Sequence, residues 1–206
     1  MQLVTLAPSN TTVAHVFACL KNLARDIDNR AAILDAGSAE KIVTACSEAE
    51  DPRIVANGAG VLANLARDDA SRAAVLKKGG VAVLVQLCKD SKDSGILANV
   101  CGALANLAVF PLSRPAIVKE GAIEPLVELC QSAQSYPVLI SGALALCALA
   151  VHEGLNLEPE LATKALSGLV RVKDSLGENT PAPLQQPLKD AIKILVERSE
   201  THDFIV

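Results

Sequence analysis

Gly102-Ala103-Leu104-Ala105-Asn106-Leu107-Ala108 decides how this chain of 206 residues is read, because the same segment recurs around it. Gly60-Val61-Leu62-Ala63-Asn64-Leu65-Ala66 and Ala18-Cys19-Leu20-Lys21-Asn22-Leu23-Ala24 lie upstream, and a looser copy, Leu144-Ala145-Leu146-Cys147-Ala148-Leu149-Ala150, lies downstream. Each copy is offset from the next by 42 residues. A fixed period of this size marks a repeat array, in which each unit buries its apolar face against its neighbours.

The composition agrees. Half of the residues are hydrophobic, only 2% are aromatic and Trp is absent, which suits helices packed closely through Leu, Ala and Val. Net charge is −4, and Lys77-Lys78 is the longest basic run. Binding a phosphate backbone needs clustered Lys and Arg, so nucleic acid is not an expected partner. Residues 143–151 are apolar but too few to span a bilayer, so no direct membrane insertion is expected. No basic region precedes a hydrophobic stretch at the N-terminus, so no signal peptide is evident. Cys46, Cys88 and Cys130 share the spacing of 42. Equivalent positions in stacked units lie about 8–10 Å apart, beyond the roughly 7 Å Cα separation of a disulfide. No CxxC pair suggests zinc. The three are read as buried, reduced, metal-free core thiols, which places the chain in a reducing compartment, the cytoplasm or the nucleus.

Taken in order, residues 1–9 read as the end of a helix, so the chain starts inside a repeat. Thr11 to Ala24 forms a helix with Val13, Phe17, Leu20 and Leu23/Ala24 on one face. A unit then follows: a short helix from an Asn29 N-cap to Leu34, a turn at Gly37, a second helix from Ala39 to Cys46, a polar loop, and a third helix ending near Ala66. The pattern returns with Ser71, Gly79-Gly80 and Ile96 to Ala108, and again with Ser113, Gly121 and Val138 to Ala150. Beyond Val151 it weakens. Leu161 to Val172 is helical without the turn glycine, Thr163 standing in its place. Lys173 to Pro187, with Pro181, Pro183 and Pro187, reads as a long loop, and Leu188 to Arg198 as a last amphipathic helix. The expected units are 1–24 (truncated repeat or cap), 25–66, 67–108, 109–150 and 151–206 (degenerate repeat and capping helix).

This sentence of short helix, glycine turn, second helix and third helix resembles the armadillo repeat. Asn29-Arg30-Ala31-Ala32-Ile33-Leu34-Asp35-Ala36-Gly37 and its copies at Ser71 and Ser113 are similar to that family's first helix and turn. Gly121-Ala122-Ile123-Glu124-Pro125-Leu126-Val127-Glu128-Leu129 resembles its second helix, and the Leu-Ala-Asn-Leu-Ala segments its third. HEAT repeats have a similar period but usually lack the separate first helix and its glycine. The resemblance covers residues 1 to 172 or so and implies an all-α, right-handed solenoid. Its third helices would line a concave groove for an extended peptide. In importin-alpha-like and beta-catenin-like members an asparagine on that helix bonds the ligand backbone; the matching positions are Asn22, Asn64 and Asn106, and Ala148 departs. Importin-alpha-like members carry a Trp four residues earlier, where this chain has Ala18, Gly60, Gly102 and Leu144. That departure counts against binding of nuclear-localisation signals.

Helical spacing alone places Asn57, Gly60, Val61 and Asn64 on one face, and likewise Asn99, Gly102, Ala103 and Asn106. The first unit carries His15, Ala18, Cys19 and Asn22 there. An amide can both donate to and accept from an extended backbone; the same spacing fits amides that bond within the solenoid. The candidate peptide-binding residues are therefore Asn22, Asn57, Asn64, Asn99 and Asn106, above a floor of Gly60 and Gly102. His15 has no second His or paired carboxylate at helical spacing and reads as a solvated groove residue, His152 and His202 lie in a loop and a tail, and GxSxG, HExxH and P-loop patterns are absent. Asp68-Asp69 and residues 48–51 read as solvated acidic turns. Arg25 and Arg67 follow third helices and are expected to complement their C-termini. Phe204-Ile205-Val206 has the form of a strand-adding C-terminus, but it is read as a frayed or truncated end. The expected function is a non-enzymatic, cofactor-free interaction module that binds a protein partner through an extended peptide segment. A regulator of small GTPases and a structural segment of a larger solenoid are the alternatives. Oligomeric state is not legible in the sequence.

Overall fold

The computed structural model describes residues 9–151 and 157–200. Residues 3–7, His152, His202 and the Phe204-Ile205-Val206 ending, all singled out above, lie outside the described residues.

Glycine and aspartate cut the described chain into twelve α-helices. A first helix, α1 (Asn10–Leu23), is followed by α2 (Ile27–Asp35), α3 (Ser38–Glu48) and α4 (Pro52–Leu65). The next unit is α5 (Asp69–Lys77), α6 (Gly80–Asp90) and α7 (Ser94–Ala108), and the next α8 (Arg114–Lys119), α9 (Ile123–Ser132) and α10 (Tyr136–Ala150). Then come α11 (Pro159–Leu176), a 3₁₀ turn at Gly177–Asn179 and α12 (Ala182–Glu200). No strand occurs among the described residues. Gly37, Gly79 and Gly121 turn the chain from first to second helix with φ of 66°, 77° and 75°, a region that a side chain would make costly. In the last unit the glycine is missing, and α11 runs straight through Thr163, whose hydroxyl bonds the Pro159 carbonyl.

Third helices stack in the order α1, α4, α7, α10, α12, each touching the next, and second helices α3, α6, α9 and α11 stack behind them. Leu62, Leu104 and Leu146 are sealed in this stack, and Leu188 continues the column another 42 residues on. Leu20, in the first helix of the described stack, is only half buried. Cys46, Cys88 and Cys130 are buried in the core, as are Cys101 and Cys147, and all six thiols are free.

Several sequence expectations need correction. The stretch from Lys173 to Pro187 is helical except for residues 177–181, because buried Leu176 extends α11 and buried Leu184 starts α12. Pro183 fits in the first turn of α12, where no N–H is needed, and Pro187 is carried inside the helix. Asn29 does not cap α2. Asp26 does, accepting from the Asp28 and Asn29 amides at 3.0 and 3.2 Å. Asp68 and Asp51 are caps of α5 and α4 rather than solvated charges. Arg25 and Arg67 are exposed and make no side-chain bond among the described residues. The helix ends are met instead by Arg30, Arg72 and Arg114, five residues further along. Arg30 Nη1 donates to the Ala24 and Arg25 carbonyls, both at 3.1 Å. Arg72 donates to Ala66 and Arg67, and Arg114 to Ala108 and Val109. A guanidinium, buried at Arg30 and Arg114 and partly buried at Arg72, thus satisfies carbonyls that the helix itself leaves open, at the negative end of its dipole.

Candidate peptide groove

The asparagines form a ladder, and one half of each amide is already engaged. Asn64 Nδ2 donates to the Lys21 carbonyl and Asn106 Nδ2 to the Ala63 carbonyl, both at 2.8 Å. Asn57 Nδ2 donates to Ala14 at 3.1 Å and Asn99 Nδ2 to Ala56 at 3.0 Å. In every case the acceptor belongs to the preceding third helix, 43 residues back. These bonds tie neighbouring third helices together and hold each amide in one orientation. They leave Oδ1 of Asn64, Asn99 and Asn106, and the second amide hydrogen of each, without a partner among the described residues. All three side chains are half buried, so the free atoms border solvent. Asn22, on α1, is exposed and makes no side-chain bond among the described residues. His15 is exposed on the same helix.

The floor differs between rungs. Lys21 lies across Gly60: a Cβ built on Gly60 would collide with Lys21 Cδ, and Lys21 Nζ reaches Asn57 Oδ1 at 3.0 Å. The helical spacing puts Gly60 on an open floor; this cover corrects that expectation. Gly102 is open, and a methyl group added to its Cα would meet no atom within 4 Å. Towards the C-terminal end a cleft of about 360 Å³ opens between α7, α10 and α12. Its floor includes Ala105, Leu144, Cys147 and Ala148, and Asn106 and Asp190 border it. Asp190 stands 84 residues after Asn106 and continues the ladder with a carboxylate. Reading α12 only as a cap misses it; the signal is the shared register with Leu188.

No group of three or more His, Cys, Asp or Glu side chains able to hold a metal ion occurs among the described residues. No helix in them is long and apolar enough to cross a membrane. The arrangement offers hydrogen bonds and a small-residue floor.

Residues 68–109 match the Armadillo/beta-catenin-like repeat family. An engineered protein solved by the Northeast Structural Genomics Consortium is similar at 30% identity and a TM-score of 0.76, over 95% of this chain and 77% of that one. A designed armadillo repeat protein in complex with the peptide (KR)4 matches with a TM-score of 0.75 at 18% identity, over 92% of this chain and 77% of that one. Computationally designed armadillo repeat proteins for modular peptide recognition give 0.68 at 17% identity, over 93% and 94%. Comparison with curated proteins gives no match.

Proposed function

Because this chain belongs to the armadillo-repeat family, we propose that it is a non-enzymatic binding module that holds an extended peptide segment of a protein partner along its third helices. One observation carries the reading. Asn64, Asn99 and Asn106 are pinned in a common orientation by the preceding helix, and each keeps an acceptor and a donor hydrogen without a partner among the described residues. An extended chain has unpaired N–H and C=O groups and rises about 3.3 Å per residue. Rungs about 8–10 Å apart therefore meet it every third residue or so. Pinning lowers the entropic cost of binding, because the amides do not have to be ordered by the ligand. Asn22 and Asn57 are helpers in this reading. Designed proteins of the same fold that recognise peptides support it.

Pull-down with mass spectrometry supplies a partner, whose affinity is then measured against two variants. Asn64→Ala with Asn106→Ala removes both rungs but also two interhelical bonds, so it is read together with its thermal midpoint. Gly102→Gln is the cleaner probe. A Cβ at this position meets nothing within 4 Å, and replacing a mid-helix glycine raises helix propensity, so the midpoint should hold or rise while the floor is obstructed. A loss of about tenfold or more in affinity supports the groove. Unchanged binding in both variants rejects it and directs attention to the outer face or the loops.

A further inference from the structure

The chain leaves α11 at Gly177, with φ of 50° and ψ of −127°, and enters α12 at Ala182. Thr180 ties this turn down. Its hydroxyl donates to the Gly177 carbonyl at 2.7 Å, and its own carbonyl accepts from Gln185 Nε2 at 2.9 Å. The turn forms one wall of a cleft of about 440 Å³ between the two helices. Leu188 and Ile192 supply its apolar side chains; Leu188 is sealed in the core column, while Ile192 is only half buried. Lys173 borders the cleft from α11, and Lys189 and Lys193 border it from α12, on the helix face that they share with Ile192. All three lysines are exposed, and none has a hydrogen-bond or ion-pair partner among the described residues. Glu178 is the one acid in the lining among the described residues. This cleft shares no lining residue with the one that Asn106 and Asp190 border on the groove side.

We propose that this cleft docks an acidic peptide segment of a protein partner, with one large apolar side chain seated on Ile192 and flanking carboxylates held by Lys173 on α11 and by Lys189 and Lys193 on α12. It is a second surface, independent of the groove reading. Charge complementarity selects the sign of the ligand. Three lysines face one glutamate here, although the whole chain carries a net charge of −4, and a concave apolar wall concentrates that local field. The lysine stems extend the apolar bed of Ile192 and leave their ammoniums at the rim. A small molecule is a poorer fit, because such ligands usually bury about 70% or more of their surface, and the rim here is exposed on both helices. A peptide needs only one anchored side chain inside a charged rim. Exposed ion pairs contribute little one at a time, so binding requires the anchor and the carboxylates together. The tied turn adds to this by presenting one wall already ordered.

The test uses the full chain and three fluorescent peptides of about eight residues, long enough to cross the cleft at about 3.3 Å per residue. The first has a central Phe with two Glu on each side, the second Ala in place of Phe, and the third Gln in place of every Glu. The first should bind about tenfold tighter than either control. Lys189→Gln with Lys193→Gln should weaken it by about tenfold, and Lys173→Gln by about threefold. Lys77→Gln with Lys119→Gln removes the same charge from exposed sites on α5 and α8 and should change little. Obstructing the groove with Gly102→Gln should not weaken this peptide, which separates the two surfaces. Failure of the first peptide to bind, equal binding of all three, an equal response to the two lysine pairs, or a loss on Gly102→Gln overturns the assignment. Octanoate binding with the same lysine dependence, where the first peptide does not bind, would give the cleft to a small amphipathic anion and overturn it as well. None of these outcomes touches the groove reading, which stands or falls on the captured partner.

Discussion

Arg198 donates its Nη1 to the Ala150 carbonyl at 3.2 Å, from the far end of α12. Ala150 occupies the position of Ala24, Ala66 and Ala108, whose carbonyls are taken by Arg30, Arg72 and Arg114 from the helix that follows. The fourth unit thus meets the same need with an arginine 48 residues away. Replacing Arg198 with Met should leave that carbonyl short of a donor and loosen α12 against α10. A cost of about 1–3 kcal/mol is expected, with faster amide exchange concentrated in α12. Exchange spread evenly over the chain would show that the contact is not a local clasp.

The Arg30–Asp68 pair links two units. Arg30 Nε meets Asp68 Oδ2 at 2.5 Å, and the side chains are 8% and 24% exposed. Burial alone would raise the Asp68 pKa. The Ser71 amide, Arg30 and the Ser71 hydroxyl outweigh it and hold the carboxyl below its usual range. A depressed folded pKa means that the stabilisation is complete above the unfolded value, near 3.9, and is lost as pH falls through the lower folded value. Asp68→Asn keeps an acceptor for the cap but not the charge. Wild type should exceed it in stability at neutral pH by about 1 kcal/mol or more, and the gap should close below about pH 4. A gap independent of pH between 7 and 2 would assign the effect to packing, and the urea midpoint across that range decides.

Ser71 and Ser113 are equivalent yet should respond oppositely. Ser71 Oγ donates to Asp68 at 3.0 Å. Phe110 stands where the carboxylate would be for the next unit, and Ser113 Oγ is buried with no hydrogen-bond partner among the described residues. The same exchange leaves α8 without a side-chain cap bond. Ser71→Ala is expected to cost about 1 kcal/mol, and Ser113→Ala to be neutral or stabilising, because it removes an orphaned hydroxyl. Equal losses at the two sites would mean that Ser113 is satisfied in solution.

What could be read from the sequence follows from how far each feature depends on its own repeat. Gly37, Gly79 and Gly121 were legible because a left-handed turn leaves almost no alternative to glycine. The leucine column was legible because burial tolerates little besides a large apolar side chain at that depth. The arginine clasp is as periodic as either, but Arg25 and Arg67 stand closer to the helix ends in sequence and mask it. Three prolines hide the start of α12, although Leu188 keeps the register. The asparagine ladder is legible, but which way an amide turns between two helices is set by the backbone 43 residues away, and spacing alone carries no such information.

Depth along the leucine column should scale the cost of truncation. Leu104 is fully buried between neighbours on both sides, whereas Leu20 is half buried at the start of the described stack. Leu104→Ala is expected to cost about 2–5 kcal/mol and Leu20→Ala clearly less. Equal urea midpoints for the two variants would contradict the stacking order.

Thiol reactivity reads the whole solenoid at once. Cys19 is exposed on α1, while Cys46, Cys88, Cys101, Cys130 and Cys147 are buried. Burial pushes the Cys46, Cys130 and Cys147 thiols up to about 12. The hydrogen bond with Cys88 and burial raise Cys101 further. The thiolate is the nucleophile, so these groups are doubly protected, by access and by protonation. At pH 8 one equivalent of a thiol reagent should react rapidly, and Cys19→Ser should remove that phase. The remaining thiols should react only as the protein opens, with rates that rise together in mild urea if the units unfold as one, or in sequence from the ends if each unit opens on its own. Rapid labelling of Cys46, Cys88 or Cys130 in the native protein would mean that the second helices do not pack as described.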